Sequence, residues 1–464
     1  MDKINELITF DINKNNLLNS NSSLTIFWHR RDLRIDDNAG LYHALKWVQS
    51  RSQQADKSHF VQSIFIFDPD ILNNLEKNDL RVLFIYQTLE TLKYEYQKNG
   101  SDLWVFYGKA NDVFDYLTSK FIIKSVFTNH DYEPKAIRRD QDVEKLLIKK
   151  EVLFKTYKDQ TIFEKNEVLS DLNKSYTIYT PYKKKWLSLL NSFYLKPYPV
   201  NLYKNFLSKI KSVQKFISLE QIGFIKQKFS FPSLELSTNM LKNYSDNRDF
   251  PFLSNGTSLL GLHLRFGTVS IRELAKEGQK HSDVWLSELI WRDFFQQILW
   301  FYPYVETKCF RPAYDSIQWR DDFNDFEKWK NGETGYPLVD AGMRELNATG
   351  HMHNRVRMVV ASFLTKHLLH HWYKGERYFA SKLLDYDLSA NNGNWQWAAG
   401  TGCDAAPYFR IFNPTSQQER FDPKGIYIKK WVPEWGTSKQ LKPMIDHNFA
   451  RDRALMTYKQ GLGK

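Results

Sequence analysis

The chain has 464 residues, 42% of them hydrophobic, enough for two or three domains with sizeable cores. Sixty-five Lys and Arg against 53 Asp and Glu leave a net charge of +12, a surplus that points to an anionic partner and above all to nucleic acid. Two cysteines, Cys309 and Cys403, support neither a disulfide framework nor a cysteine zinc site, and no apolar run reaches the ~18–20 residues that span a bilayer.

The first 23 residues, MDKINELITFDINKNNLLNSNSS, are polar and lack the basic and apolar regions of a secretory signal. They read as an extension of a soluble, cytoplasmic chain. From residue 24 the runs LTIFW (24–28), VQSIFIF (61–67), DLWVFY (102–107), KSVFT (124–128) and VLFKTY (152–157) predict buried strands. Helical periodicity separates them: Leu41 to Val48 behind an Asp37 cap, then 76–98, 110–120 and 135–149. Such alternation predicts a doubly wound parallel sheet over 24–157. The first strand runs into HRRDLRIDDN instead of a glycine-rich turn, so the dinucleotide fingerprint is absent. Residues 158–240 are lysine-rich and aperiodic and read as an interdomain linker, with Lys183–Lys185 a solvated run. Helical patterns fill 241–464, at 284–301, 322–330, 338–349, 351–372 and 376–385, giving an all-α second domain. Ten of the 14 tryptophans lie between 285 and 435, so aromatic chemistry belongs to this half.

Within that half, GTSLLG (256–261) puts two hydroxyls beside glycines at a helix start, which suits either a phosphate or an ordinary cap. Tyr244 and Arg248 stand upstream in YSDNRDFP. VWLSELIWRDFF places Trp285, Glu288, Trp291 and Arg292 on neighbouring positions of one helix face, and charges among buried aromatics need partners. Asn354 and Met358 are one turn apart, with Arg355 and Arg357 between them, and an Arg357–Asp385 pair is expected. His367 and His371 have i, i+4 spacing but no HExxH pattern or third ligand, so no metal is assigned. Residues 391–414, NNGNWQWAAGTGCDAAPYFRIFNP, crowd helix-breaking residues around two tryptophans. They read as a loop that tucks aromatics into the core or as a place where backbone and flat rings meet a flat ligand.

TGHMHNRVRMVVASFL, LLDYDLSANNGNWQWAAGTGCDAAPYFRIFNP, ELIWRDFF and TIFWHRRDLRIDDN together resemble the photolyase/cryptochrome family, across roughly residues 24–440. Within it the chain is most similar to class I photolyases that repair cyclobutane pyrimidine dimers. The resemblance implies an α/β antenna domain, a helical domain holding U-shaped FAD, and light-driven electron loan to the dimer. It implies FAD contacts at Tyr244, Thr257, Ser258, Leu259, Leu260, Gly261, Trp285, Glu288, Arg292, Arg357, Asp385, Tyr386, Asp387 and Asn391, with Asn391 facing the flavin N5. Glu288, Asn354, Met358, Trp291 and Trp397 would meet the flipped-out dimer. Trp395, Trp372 and Trp319 would relay electrons to the flavin. Arg248, Arg355, Arg410, Gln417 and Arg420 would track phosphates of ultraviolet-damaged DNA, single- or double-stranded, with the protein acting as a monomer away from any membrane.

Asn354 and Met358 stand where relatives acting on the (6-4) photoproduct carry histidines, and Asn391 where plant cryptochromes carry aspartate, so dimer repair is favoured over signalling. A flavin oxidoreductase using nicotinamide would need a second dinucleotide site, which the sequence lacks. Gly261 departs from the serine common in the family. Glu133 matches a pterin-binding carboxylate, while KCFRP (308–312) fits the folate pattern poorly and FDPDIL (67–72) resembles deazaflavin-binding relatives. Methenyltetrahydrofolate is preferred to 8-hydroxy-deazaflavin as antenna.

Overall fold

The computed structural model describes residues 22–52 and 58–463, so most of the polar N-terminal extension lies outside the described residues. The chain forms two compact units. The first takes the described residues up to Ile162, then Asn191–Leu234 and Leu260–Lys276; the second takes Phe163–Leu190, Glu235–Leu259 and Glu277–Lys464.

In the first unit five parallel strands, β1 (Ser23–His29), β2 (His59–Phe67), β3 (Leu103–Tyr107), β4 (Ile122–Asn129) and β5 (Leu153–Tyr157), lie in the order β3-β2-β1-β4-β5. All five expected strands are present. The central strand β1 is buried along its whole length because helices cover both sheet faces, which is why its sequence reads as a run and not an alternation. The buried polar groups in it are paired: Thr25 Oγ1 lies 2.8 Å from Ser125 Oγ and 2.9 Å from His59 Nε2. The helices are α1 (Ala39–Ser52), α2 (Leu80–Lys98), α3 (Ala110–Lys120) and α4 (Pro134–Lys149). Asn38, not Asp37, caps α1 by accepting from the Leu41 amide at 3.2 Å. Asp37 instead holds the Arg272 guanidinium, at 2.8 Å from Nε.

The second unit is helical: α5 (Tyr179–Leu189), α6 (Asp283–Phe301), α7 (Phe323–Asn331), α8 (Pro337–Thr349), α9 (Asn354–Ser362), α10 (Trp372–Lys382), α11 (Leu388–Ala399) and α12 (Pro414–Phe421) carry the site or its support. Two expectations change here. The periodicity of 351–372 is not one helix: α9 ends at Ser362, a π-turn follows over Phe363–His367, Leu369 turns left-handed (φ 55°), and His371 starts α10 by accepting from the Tyr373 amide. The stretch 391–414 is helix, not loop, only as far as Ala399, because Asp387 caps α11 by accepting from the Ser389 and Ala390 amides; residues 401–413 are irregular, as expected.

Close packing explains the glycine inside that helix. A Cβ on Gly393 would sit 2.2 Å from Phe295 Cδ1, and one on Gly375 of α10 would sit 2.1 Å from Trp395 Cη2. Helices α10 and α11 therefore approach closely enough for the edge of the Trp395 ring to rest against the α10 backbone at Gly375. Residues 158–240, expected as a linker, divide instead between the two units, and include α5, whose Trp186 is fully buried and donates to Asp293 at 3.0 Å.

Candidate functional site

Helix α6 starts at Ser282, whose hydroxyl accepts from the Trp285 amide, and its register buries Trp285 while leaving Glu288 and Trp291 half-buried. Glu288 meets the Arg248 guanidinium in a close ion pair. Burial raises the Glu288 carboxyl above its ordinary range, and Arg248 pulls it back down. The Arg248 guanidinium also lies 5.4 Å over the Tyr244 ring. Two residues assigned separately to phosphate and to substrate are thus one another's partners.

From Arg248 the charges continue. Asp249 lies 3.8 Å from Arg248 Nε and 2.7 Å from Arg355 Nη2 on α9. Arg355 reaches Met358 Sδ at 3.9 Å and stacks 4.3 Å over Phe421, which ends α12. Arg420 lies over the same ring at 5.1 Å. Two residues along α9, Arg357 makes the expected pair with Asp385 at 3.0 Å and donates through Nε to the Met352 carbonyl at 2.7 Å. Asn354 is exposed at the start of α9, as are Arg410 and Arg420, and Gln417 is half-buried. His351 and His353 flank this row, and burial lowers both to about 4, so they are neutral at pH 7 and add no cation.

Helix α11 packs against both α6 and α9. Tyr386 precedes the Asp387 cap, and Asn391 is half-buried, with its Nδ2 donating to the Glu376 carbonyl at 3.1 Å and to Glu376 Oε1 at 2.9 Å. Thr257 and Ser258 are half-buried in an irregular turn, and Leu259 holds φ 54°, a backbone state uncommon for leucine. Leu260 and Gly261 belong to the first unit, where Gly261 opens a six-residue helix.

The three tryptophans expected to form a relay occupy different depths. Trp395 and Trp372 are buried, and Trp319 is half-buried. His371 bridges the outer pair, with ring centroids 5.4 Å from Trp319 and 5.5 Å from Trp372. Trp372 Nε1 donates to Cys309 Sγ at 3.4 Å. His367, the other histidine of the i, i+4 pair, binds His447 instead at 2.9 Å, and no group of three or more potential metal ligands occurs among the described residues.

Three neighbours of the site escaped sequence reasoning. Tyr179 of α5 stacks on Trp291 with centroids 3.5 Å apart and planes within 6°. Trp329 of α7 stands edge-on to Trp395 at 6.1 Å. Glu376 backs Asn391 from α10. Only Glu376 carried a signal, as the one acid in YKGERYF (373–379), and its partner lies on another helix. In the first unit, Glu133 is held by Arg31 at 3.0 Å and by Arg265.

The donors and acceptors suit a flavin. An isoalloxazine presents acceptors on either side of an N–H along its pyrimidine edge, and the paired Arg357 and Asp385 offer both kinds of partner.

Comparison with known proteins gives the same picture. Residues 25–201 match the DNA photolyase family model, and residues 285–442 match that of the FAD binding domain of DNA photolyase. The chain is 34% identical to a deoxyribodipyrimidine photo-lyase of Halobacterium salinarum, over 95% of this chain and 100% of that one. It superposes on a class III photolyase from Agrobacterium tumefaciens with TM-score 0.81 and 29% identity, covering 96% of this chain and 98% of that one. An archaeal photolyase from Sulfolobus tokodaii, described with two FAD molecules, gives TM-score 0.78 and 34% identity, covering 94% and 100%.

Proposed function

Because the chain belongs to the DNA photolyase family, we propose that it is a light-dependent DNA repair enzyme that splits cyclobutane pyrimidine dimers with FAD as its photoactive group. FAD, when bound, supplies the light-excited electron donor. The observation that carries this reading is the continuous row Glu288–Arg248–Asp249–Arg355, which runs from α6 through the turn at 248–249 to α9, with the Arg357–Asp385 pair two residues further along α9.

In this reading Asp385 and Arg357 bind the flavin's pyrimidine edge and Asn391 presents its amide to N5. Tyr244, Thr257, Ser258, Trp285, Arg292, Tyr386 and Asp387 complete the flavin contacts in the second unit. Glu288 and Asn354 hydrogen-bond the extruded dimer and stabilise charge on it, beside Met358. Trp291 and Trp397 stack on its bases; extrusion costs less for a dimer, whose stacking is already distorted. Arg248, Arg355, Arg410, Gln417 and Arg420 grip phosphates and carry no sequence preference. Trp319, Trp372 and Trp395 pass electrons inward, and the chain works as a monomer.

An antenna chromophore belongs to the same proposal. For methenyltetrahydrofolate, Glu133 must accept from the pterin, and that carboxylate is held by Arg31 and Arg265. This pairing favours a second reading, in which a flavin takes the antenna role, as the two FAD molecules of the Sulfolobus tokodaii relative suggest.

The deciding experiment irradiates purified protein with a dimer-containing oligonucleotide and follows loss of the dimer in light and dark. Light-dependent loss together with FAD released on denaturation supports the proposal. A flavin-free preparation that cannot be reconstituted, or loss that is equal in the dark, overturns it. Mass and absorbance of any second released chromophore separate folate from flavin.

A further inference from the structure

The Asn391 side chain is clamped by a single residue. Its Nδ2 donates to the backbone carbonyl of Glu376 at 3.1 Å and to the carboxylate Oε1 of the same residue at 2.9 Å. The partner fixes which amide atom is the nitrogen, since the Glu376 carbonyl oxygen can only accept. Both Nδ2 hydrogens are therefore spent on α10, and Oδ1, which can only accept, is left for a donor other than Glu376. The main-chain acceptor comes with any residue at 376; the second acceptor comes only from the side chain.

We propose that Glu376 is the positioning residue for Asn391: its carboxyl, fixed behind the amide, holds Oδ1 toward the flavin N5 and carries an exchangeable proton beside that contact. The inference rests on the reading of Asn391 as the residue facing N5.

The surroundings suit both tasks. Glu376 is 1% exposed, and burial lifts its carboxyl to about 7, so protonated and ionised forms coexist near neutrality. Asn391 from α11, Arg377 on its own helix and Tyr386 from the turn before α11 favour the ionised form, while Glu306 from the Pro303–Glu306 turn opposes it. When ionised, the carboxylate grips Nδ2 with a charge-assisted bond. When a negative charge develops on the neighbouring group, like-charge repulsion favours the neutral carboxyl, and Glu376 takes a proton from solvent.

Glu376→Gln tests this directly, because a glutamine retains an Oε1 acceptor but cannot titrate in this range. The first measurement needs no flavin. A folded-state carboxyl raised above its unfolded value binds its proton more tightly in the native protein, so it weakens folding as pH rises between the two values. The parent chain, stripped of flavin, should lose melting temperature from pH 5 to pH 8 by a larger margin than the Glu376→Gln variant. Equal margins overturn the titrating role.

The second measurement follows the flavin potential against pH, with dithionite as reductant, over pH 6–8. The parent should take up more protons per reduction than Glu376→Gln, by up to about one, and infrared difference spectra should lose a protonated-carboxyl band in the variant. Coincident pH slopes in two flavin-loaded proteins overturn the inference, whereas a parent that binds no flavin overturns the reading beneath it. Glu376→Ala removes the second acceptor as well. If it folds, its flavin spectrum should depart from the parent's while Glu376→Gln restores it; identical spectra in all three overturn the clamp.

Discussion

The two units bury charge in opposite ways. In the α/β unit the charges close on themselves: Lys93 meets Asp102 at 2.5 Å with both side chains nearly inaccessible, and Asp159 takes Arg34 and Arg272 at once. In the helical unit the row from Glu288 to Arg355 is half-exposed along its length and ends beside the exposed Asn354. A closed pair has its fields satisfied internally and contributes to a unique fold. An open row keeps unspent hydrogen-bonding capacity on an accessible face, and that distinguishes a site from a scaffold.

The sharpest break of that contrast is Asp102→Ala. It strands the Lys93 ammonium, which burial already pushes toward the neutral form, with only the Leu103 carbonyl at 2.9 Å. Removing one partner of a buried pair costs about 3–5 kcal/mol, so the variant should unfold at much lower urea than the parent. Loss below about 1 kcal/mol would place this pair with solvent-screened ones. Gly393→Ala probes the helical unit by packing instead of charge. Its Cβ must displace the Phe295 ring, and overpacking of this kind costs about 1–3 kcal/mol. Because Asn391 is two residues away on α11, flavin retention should fall with stability; a variant that keeps both would show that α11 slides freely.

These two positions also mark how far the sequence could be read. The five strands are legible because helix-covered parallel strands need continuous apolar runs, and Leu24, Ile26 and Phe27 of β1 are indeed all fully buried. The Arg357–Asp385 pair was legible because both residues sit in dense motifs. The helical state of NNGNW was not, since propensity penalises glycine and asparagine and only the tertiary fit against Phe295 reveals why glycine is required. Nor was the Glu288–Arg248 contact, which joins residues 40 apart that local periodicity cannot relate. The break at Leu369 is likewise set by capping at His371 and not by hydrophobic pattern, which runs straight through it.

That open row can be sharpened by salt. Each phosphate contact on duplex DNA contributes roughly −0.9 to the slope of log affinity against log salt. Arg248→Ala should flatten the slope by about one unit, even though Glu288 holds the guanidinium in the free protein. An unchanged slope would mean that Arg248 serves Glu288 alone, and that the row's outward capacity lies with Arg355, Arg410 and Arg420.

The smallest expected effect is on repair itself, from Trp319→Phe. The Trp319 ring is half-buried, and the His371 ring neighbours both it and Trp372, with centroids at 5.4 and 5.5 Å. Trp319 also stands 5.7 Å from Tyr458, so its packing neighbours are aromatic on two sides and phenylalanine can fill much of the same space. Stability should therefore change little. A phenyl ring is far harder to oxidise than an indole, so photoreduction of resting flavin by an external donor should stop. Repair moves an electron from flavin to dimer and back and draws on no outside donor. With flavin reduced chemically beforehand, the variant should repair at nearly the parental rate. A variant that still photoreduces at the parental rate would move the outer end of the relay elsewhere, with Trp329, 6.1 Å from Trp395, the next ring to substitute. A variant that cannot repair even with pre-reduced flavin would make Trp319 part of the scaffold, on the closed side of the comparison.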